Sequence, residues 1–495
     1  MVSSSEHPDL PQHPHRWEIL AAAACVAIAL YTAVLPLYRA FFLLEVSYNE
    51  GWNVYNAQIV AHHLLLYGAP YGWTTVNYPA LSFFLIGQLS RLTHDFLFTG
   101  RALSLLGLAA SGVIVGLIVR RLTGSRFSAF LAGIYCVALF CCSNANFHVG
   151  ADDPQLLAQA ILAAGLLLYI WRRESDIALA GAAFLFVLGL NIKHNQIDFP
   201  LAVLIDLCLI SWRRARNFVV LLVVFAAAAF LATVEFGGRY FLAQLFAPRL
   251  YSPMGALRNA SDYYPPLLIP VVIAIVVAFK ARRNQHTRVI SLLFLVSLVL
   301  GLGLGGGVGV SYNIYFSNTV AIAILLGIFL GELRKLQHPS PFGRLFCRAG
   351  APLLLFLWLL IPMQCNEILG LDKDLREVHA AHSRFGAQVA FLRAQPGPAL
   401  CESLLRCYVA GKPYVYDPAV STSLIRTGRL EANPIVERIR RREYGAIQFD
   451  RPPSASGQPA STPDRFVEEI LSAAAEYYSV ALVNKDCTIY VPRKP

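Results

Sequence analysis

The sequence predicts a polytopic α-helical membrane protein of about eleven transmembrane helices, followed by a small C-terminal extracytoplasmic α/β domain. Three observations predict it. Of 495 residues, 56% are hydrophobic and 14% charged, where a soluble chain averages nearer about a quarter charged. The apolar residues fall in long blocks, such as 19–38, 102–119 and 218–233, rather than in an amphipathic spread. Basic residues gather in short clusters between those blocks. A net charge of +11 therefore reads as orientation of spans, and nucleic acid is not expected as a partner.

The elements follow in order. Residues 1–18 are polar and rich in Pro and His. No small-residue cleavage site follows the first block, so 19–38 is expected to remain as the first span behind a cytoplasmic segment. The basic clusters are Arg120/Arg121/Arg126, Arg172/Arg173, Arg213/Arg214/Arg216, Lys280/Arg282/Arg283/Arg288 and Arg334/Lys335/Arg344/Arg348. Successive clusters leave room for two spans, which places all five on the cytoplasmic face. The transmembrane domain then covers 19–364, with loops 39–100, 143–153, 193–196, 235–265 and 306–317 on the opposite face. The spans at 177–190 and 197–210 are short. Segment 79–92 is read as a helix on the outer surface, because a crossing there would invert the charge pattern.

From 365 to 495 charges, Pro and Gly return. Strand-like runs Tyr414–Tyr416 and Thr488–Val491 alternate with helical stretches such as 465–478, and 454–462 reads as a flexible loop. Cys25, Cys136, Cys141, Cys142 and Cys208 lie in apolar blocks and read as core residues. Cys365, Cys401, Cys407 and Cys487 lie in the tail; an oxidising compartment would allow one or two disulfides, with the pairing open.

Unusual chemistry concentrates in the outer loops. In the first, Glu50 follows Asn49, which is placed to cap a helix, so Glu50 reads either as a partner of the helix dipole or as a general base or metal ligand. Trp52 follows as an interfacial aromatic or a sugar platform. Asp152 and Asp153 stand before Pro154: Asp153 suits the N-cap, which leaves Asp152 without a structural duty. Lys193 and His194 sit in a tight link between two short spans; a lysine there snorkels or awaits a phosphate. Tyr312, Asn313 and Tyr315 follow the glycine-rich run 301–309. Arg239, Arg249, Arg258 and Asp262 are weaker candidates. Asp206, inside a span, is expected to be hydrogen-bonded within the bundle. Asn259-Ala260-Ser261 is formally a glycosylation sequon.

The order of these motifs resembles the polytopic glycosyltransferases of the GT-C fold, related to protein O-mannosyltransferases and to the aminoarabinose transferase of lipid A. The resemblance rests on Asn49-Glu50-Gly51-Trp52 after the first span, Asn77-Tyr78-Pro79 at a surface helix, and Asp152-Asp153-Pro154 before the fourth span. It continues in Gly189-Leu190-Asn191-Ile192-Lys193 and Tyr312-Asn313-Ile314-Tyr315, and ends with an α/β tail. Many relatives carry two acids, or an Asp, where this chain has Asn49-Glu50, so the base and any divalent metal ion stay open, with Glu50 and Asp152 as the ligands if one is used.

The resemblance implies transfer of a sugar from a polyprenyl-phosphate donor to an acceptor hydroxyl on a glycoconjugate, lipid or protein. It places the site and tail at the periplasmic face of an inner membrane. Glu50 is then the expected base, with Asp152 second, and inversion at the anomeric carbon is expected. Lys193, aided by His194, Tyr312 and Asn313, is expected to stabilise the departing phosphate; Asp153, Tyr78, Trp52 and Tyr315 complete the expected substrate site. The rivals are a transporter or lipid flippase, which predicts internal repeats and midplane charges, and a non-catalytic scaffold with a ligand-binding tail.

Overall fold

The structure is a computed structural model that describes residues 16–142, 144–336, 338–361, 364–454, 459–462 and 464–494, and of 364–369 the backbone only. Expectations for the first fifteen residues and for 455–458 fall outside it. Each apolar block is helical. The first is α1 (Arg16–Arg39), whose buried Glu18 accepts from Arg334 at 2.8 Å. Two short helices follow, α2 (Asn49–Ala61), which is largely buried, and α3 (Leu81–Thr93). At 13 residues, α3 rises roughly 20 Å.

The bundle continues with α4 (Phe96–Thr123), α5 (Arg126–Cys142), α6 (Gln155–Trp171), α7 (Asp176–Ile192), α8 (Asp198–Cys208) and α9 (Trp212–Gly237). Asp95 caps α4 by accepting the Phe98 amide at 2.9 Å, and Gly124, in the left-handed region, ends it. Ser175 and Ser211 cap α7 and α9. Short α10 (Phe241–Leu245) and α11 (Pro253–Tyr263) occupy the next outer loop. They lead to α12 (Leu268–Ala281), α13 (Arg288–Leu304), α14 (Phe316–Lys335), α15 (Pro341–Leu345) and α16 (Ala351–Trp358). Among the described residues, five segments are long and apolar enough to cross a membrane, and four further apolar helices have 10–17 residues. The 11 residues of α8 rise roughly 16 Å, about half the hydrocarbon thickness. Helix α14 is buried along most of its length and forms the axis of the bundle, whereas α9 turns nearly all its surface outward.

The two ends of the bundle differ. At one, buried Asp206 receives Arg173, Arg288 at 2.8 Å and the Tyr169 hydroxyl at 2.7 Å, so residues from two basic clusters close on one acid. The polar loops meet at the other end, where the tail docks.

Helix α17 (Gln364–Ala394) leads into the tail. Its sheet has the order β1-β2-β4-β3, with β1 (Ala399–Cys401) parallel to β2 (Ala446–Phe449). Strand β4 (Cys487–Pro492) is antiparallel to both β2 and β3 (Tyr478–Asn484). Helices α18 (Leu404–Val409), α19 (Pro418–Arg426), α20 (Asn433–Arg440) and α21 (Glu468–Tyr477) complete it around Leu400, Ile447, Phe449, Ile470 and Tyr478. Cys401 and Cys407 form a disulfide, Cys487 is a buried free thiol, and the Cys365 side chain lies outside the described residues. Thr488–Val491 lies in β4 as expected. Tyr414–Tyr416 does not form a strand: the segment is extended without a ladder, because it serves the docking contact instead.

That contact is dense. A Cβ at Gly51 would stand 2.1 Å from the Leu405 amide nitrogen, so only glycine lets α2 meet α18 this closely. The Tyr55 hydroxyl donates to the Lys412 carbonyl at 2.7 Å and its ring stacks on Tyr414. The Trp73 carbonyl accepts from the Asp417 amide at 2.6 Å and the Ser421 hydroxyl at 2.9 Å. Arg406, buried, donates to Glu45 of the first outer loop and to Asp450 and Gln388 of the tail.

Candidate active site

The polar loops bring Asn49, Glu50, Asp152, Asp153, Lys193 and Tyr78 into one buried assembly, but they divide its duties differently from the sequence reading. Glu50 is fully committed. Its Oε1 accepts from Arg101 Nε at 2.7 Å and from the Asp152 amide at 3.0 Å. Its Oε2 accepts from Arg101 Nη2 at 3.0 Å and the Val46 amide at 2.7 Å. Arg101, 1% exposed, also donates to the carbonyls of Ala40, Phe42 and Leu44. A carboxylate with its acceptor positions filled by a fork of guanidinium and two amides has no room for an acceptor proton. The general-base expectation for Glu50 is therefore corrected: it ties the first outer loop to α4 and to the Asp152 backbone. The same bonds deny it to a metal, and the adjacent guanidinium opposes a cation. Among the described residues no group of three or more His, Cys, Asp or Glu side chains could hold an ion.

Asp152 and Asp153 differ in their partners. Asp152 is buried against Gly100, where a Cβ would meet its Oδ1 at 2.0 Å. It borders a void of about 10 Å³ shared with Ser82, Ile86, Leu103 and Ser104, space for one water at most. Neither of its oxygens has a hydrogen-bond partner among the described residues. Burial, then Glu50 and Asp153, push this carboxyl well above its usual range. Asp152 and Asp153 are buried alike, at 1% and 2% exposure, so access does not choose between them; only Asp153 has Lys193 beside it.

Asp153 lines the same small void, but its oxygens are engaged. It accepts from Asn49 Nδ2 at 3.2 Å, from His148 Nδ1 at 3.2 Å and, through Oδ1, from the Gln155 amide at 2.9 Å, the capping contact that Pro154 implied. Lys193 Nζ stands 3.7 Å from Oδ1. Burial raises the Asp153 pKa, but Lys193 and His148 outweigh it and hold the carboxyl below the usual carboxylate range. Asn49 does not cap α2 as the sequence suggested: it is the first helical residue, Tyr48 holds the cap position, and the Asn49 side chain donates to Asp153.

Lys193 is 2% exposed, its ammonium 3.7 Å from the centre of the Tyr78 ring, and Nζ has no hydrogen-bond partner among the described residues. A buried ammonium held by one weak ion pair and a ring face keeps three donors free for an anion. Tyr78 also packs edge-on against Trp52 and near His194. His194 is pushed down to about 3 by burial, with Arg249 and Lys193 adding to it, so it serves as a neutral imidazole.

The other candidates sit further out. The Tyr312 hydroxyl donates to Asp262 at 3.3 Å, and Asn313 contributes its carbonyl to Gln155 at 3.2 Å. Tyr315 is a packing residue: its buried ring stacks on Tyr263 and fills the space left by Gly301. The sequon residue Asn259 is engaged with the carbonyls of Gly305 and Val310.

Two cavities flank the assembly. One, of about 80 Å³, is lined by Asn49, Trp52, Asn77 and Tyr78, by Arg249, and by Asp417 and Arg465 of the tail. The Arg465 guanidinium lies 3.3 Å over the Tyr48 ring. The other is an apolar groove of about 350 Å³ between α3, α7 and α9. Ala80 and Asn191, near its head, are each two residues from Tyr78 and Lys193. Sequence reasoning missed Arg101, Asn49, His148 and Arg465. An arginine at the edge of an apolar block was the one available signal for the first.

Residues 77–235 match the family model of dolichyl-phosphate-mannose-protein mannosyltransferases. No curated protein is significantly similar in sequence. Solved structures share the fold. ArnT from Cupriavidus metallidurans, in the apo state, superposes with a TM-score of 0.56 at 12% identity over 95% of this chain and 98% of that one. The same protein bound to undecaprenyl phosphate gives 0.56 and 12%, over 96% and 97%. The archaeal oligosaccharyltransferase AglB from Archaeoglobus fulgidus, in complex with an inhibitory peptide and a dolichol-phosphate, gives 0.51 and 11%, over 87% and 69%. The chain has the GT-C fold that its motif order suggested.

Proposed function

We propose that the protein is a membrane glycosyltransferase that moves a sugar from a polyprenyl-phosphate donor to an acceptor hydroxyl at the extracytoplasmic face of the inner membrane. The observation that carries this reading is Lys193: a buried ammonium with unused donors, two residues beyond Asn191, which lines an apolar groove. A lipid phosphate is the ligand that supplies both an anion for the one and a prenyl chain for the other. The likeness to structures that hold undecaprenyl phosphate and dolichol-phosphate supports the donor class. The tail disulfide and the basic clusters at the opposite end support the sidedness.

In this mechanism the donor phosphate draws Lys193 from Asp153. With its cation redirected, Asp153 becomes more basic and accepts the proton of the acceptor hydroxyl. The acceptor oxygen bonds to the anomeric carbon as the carbon–oxygen bond to phosphate breaks, its electron pair leaving on the phosphate. Lys193 and Arg249 neutralise that charge, while Asn49 and His148 hold the Asp153 carboxylate in place. A single displacement inverts the anomeric centre.

The test compares Asp153→Asn with Glu50→Gln in membranes supplied with a labelled polyprenyl-phosphate sugar. Loss of roughly a thousandfold in transfer is expected for Asp153→Asn in folded protein, at the scale of a general base. Near-normal transfer by that variant would remove Asp153 from the role.

A further inference from the structure

A second, larger cleft lies on the far side of α2. It has a volume of about 780 Å³ and runs between α2, the α3–α4 link and the tail segment 408–414. We propose that this cleft binds an uncharged saccharide portion of the acceptor, remote from the hydroxyl that reacts. The inference rests on the proposed function only in calling that saccharide part of the acceptor.

The wall chemistry suits a sugar. Tyr55 and Tyr414 stack at 4.7 Å with an 8° interplanar angle, and Tyr408 meets Tyr55 edge-on at 5.2 Å. Around these rings stand Gln58, His62, His94 and Asp95. Tyr55 is 4% exposed and covered by Tyr414, so the rings presented to the cleft are the half-buried Tyr408 and Tyr414; rings beside donors and acceptors match the alternating C–H and O–H faces of a sugar. Charge decides against a phosphorylated ligand. The cleft's one ammonium, Lys412, is already spent on the Gln395 and Gly397 carbonyls, and a phosphate needs free cationic donors. The smaller cavity, by contrast, presents Arg249 and Arg465.

The two spaces share their walls. Helix α2 lines the smaller cavity with Asn49 and Trp52 and the cleft with Tyr55 and Gln58. From Asn49 to Gln58 the helix rises roughly 14 Å. On the tail, Tyr414 of the cleft hydrogen-bonds Asp417 of the cavity at 3.3 Å. An acceptor longer than one sugar would place its reacting end in the smaller cavity, where Asn49 reaches Asp153, and its remainder in the cleft.

The test uses the full-length protein in lipid nanodiscs, dialysed to equilibrium against labelled maltoheptaose, chitotetraose and glucose 1-phosphate. Millimolar binding of at least one neutral oligosaccharide is expected, weakened roughly fivefold or more when Gln58→Ala and His94→Ala are combined, the scale of two lost hydrogen bonds. Lys193→Met should leave this binding unchanged. Binding of neither oligosaccharide, or binding indifferent to the cleft substitutions, would overturn the proposal, as would glucose 1-phosphate binding that those substitutions abolish. Transfer assays separate the two readings. If transfer occurs and the cleft substitutions leave the acceptor KM unaltered, the cleft proposal falls and the transferase stands. If no transfer occurs but an oligosaccharide maps to the cleft, the transferase reading falls and the cleft stands.

Discussion

At the scale of single residues, neighbours in sequence have been given opposed environments. Asp152 and Asp153 are adjacent, yet one carboxyl is pushed up in a small void and the other held down by a lysine and a histidine. Glu50 shows how a carboxylate at the centre of a polar assembly can be structural. Breaking a buried ion pair leaves an uncompensated charge, at a cost of about 3–5 kcal/mol. Glu50→Gln should therefore lower the unfolding free energy by about that amount, since Glu50 is the acid that pairs with Arg101 among the described residues. Denaturation in detergent tests it, and a Glu50→Gln protein of ordinary stability that is catalytically dead would restore Glu50 to the chemistry. His194 makes a pH prediction. Its folded pKa, about 3, lies below the unfolded value of about 6.5. The unfolded chain then binds the extra proton, so this contribution is complete above about pH 6.5 and is lost as pH falls toward about 3. His194→Gln should flatten stability against pH across that window; an unchanged slope would contradict it.

At the scale of elements, the helices were legible because hydrocarbon demands long apolar blocks and charges mark their ends. The partnerships were not. Arg101 meets Glu50 across 51 positions and Asn49 meets Asp153 across 104, and nothing local in sequence specifies such pairs. Tyr414–Tyr416 misled because its β propensity serves an edge that docks on another segment rather than a ladder. The groove between α3, α7 and α9 yields a prediction of its own. Its α9 wall is built from Ala228, Ala229 and Ala232. Ala229→Phe fills space meant for a prenyl chain, and the donor KM should rise roughly tenfold, about 1.4 kcal/mol, with kcat little changed. A rise in acceptor KM instead would assign the groove to the other substrate.

At the scale of the whole molecule, the bundle separates two jobs by end. One end ties basic clusters to Asp206 and Glu18. The other gathers Asp153, Lys193 and Tyr78, and the tail adds Asp417 and Arg465 to the cavity that Tyr78 and Asn49 line. This one-sidedness distinguishes a supported active site from a conduit, which would carry its polar groups near the midplane. The central claim is that Lys193 receives a lipid phosphate. Binding of undecaprenyl phosphate to the purified protein, followed by the shift in Tm, tests it most directly in wild type and Lys193→Met. The account predicts a clear rise in Tm for wild type and a loss of affinity of roughly tenfold or more for Lys193→Met, the scale of one charge-assisted contact. Equal shifts in the two proteins would contradict it.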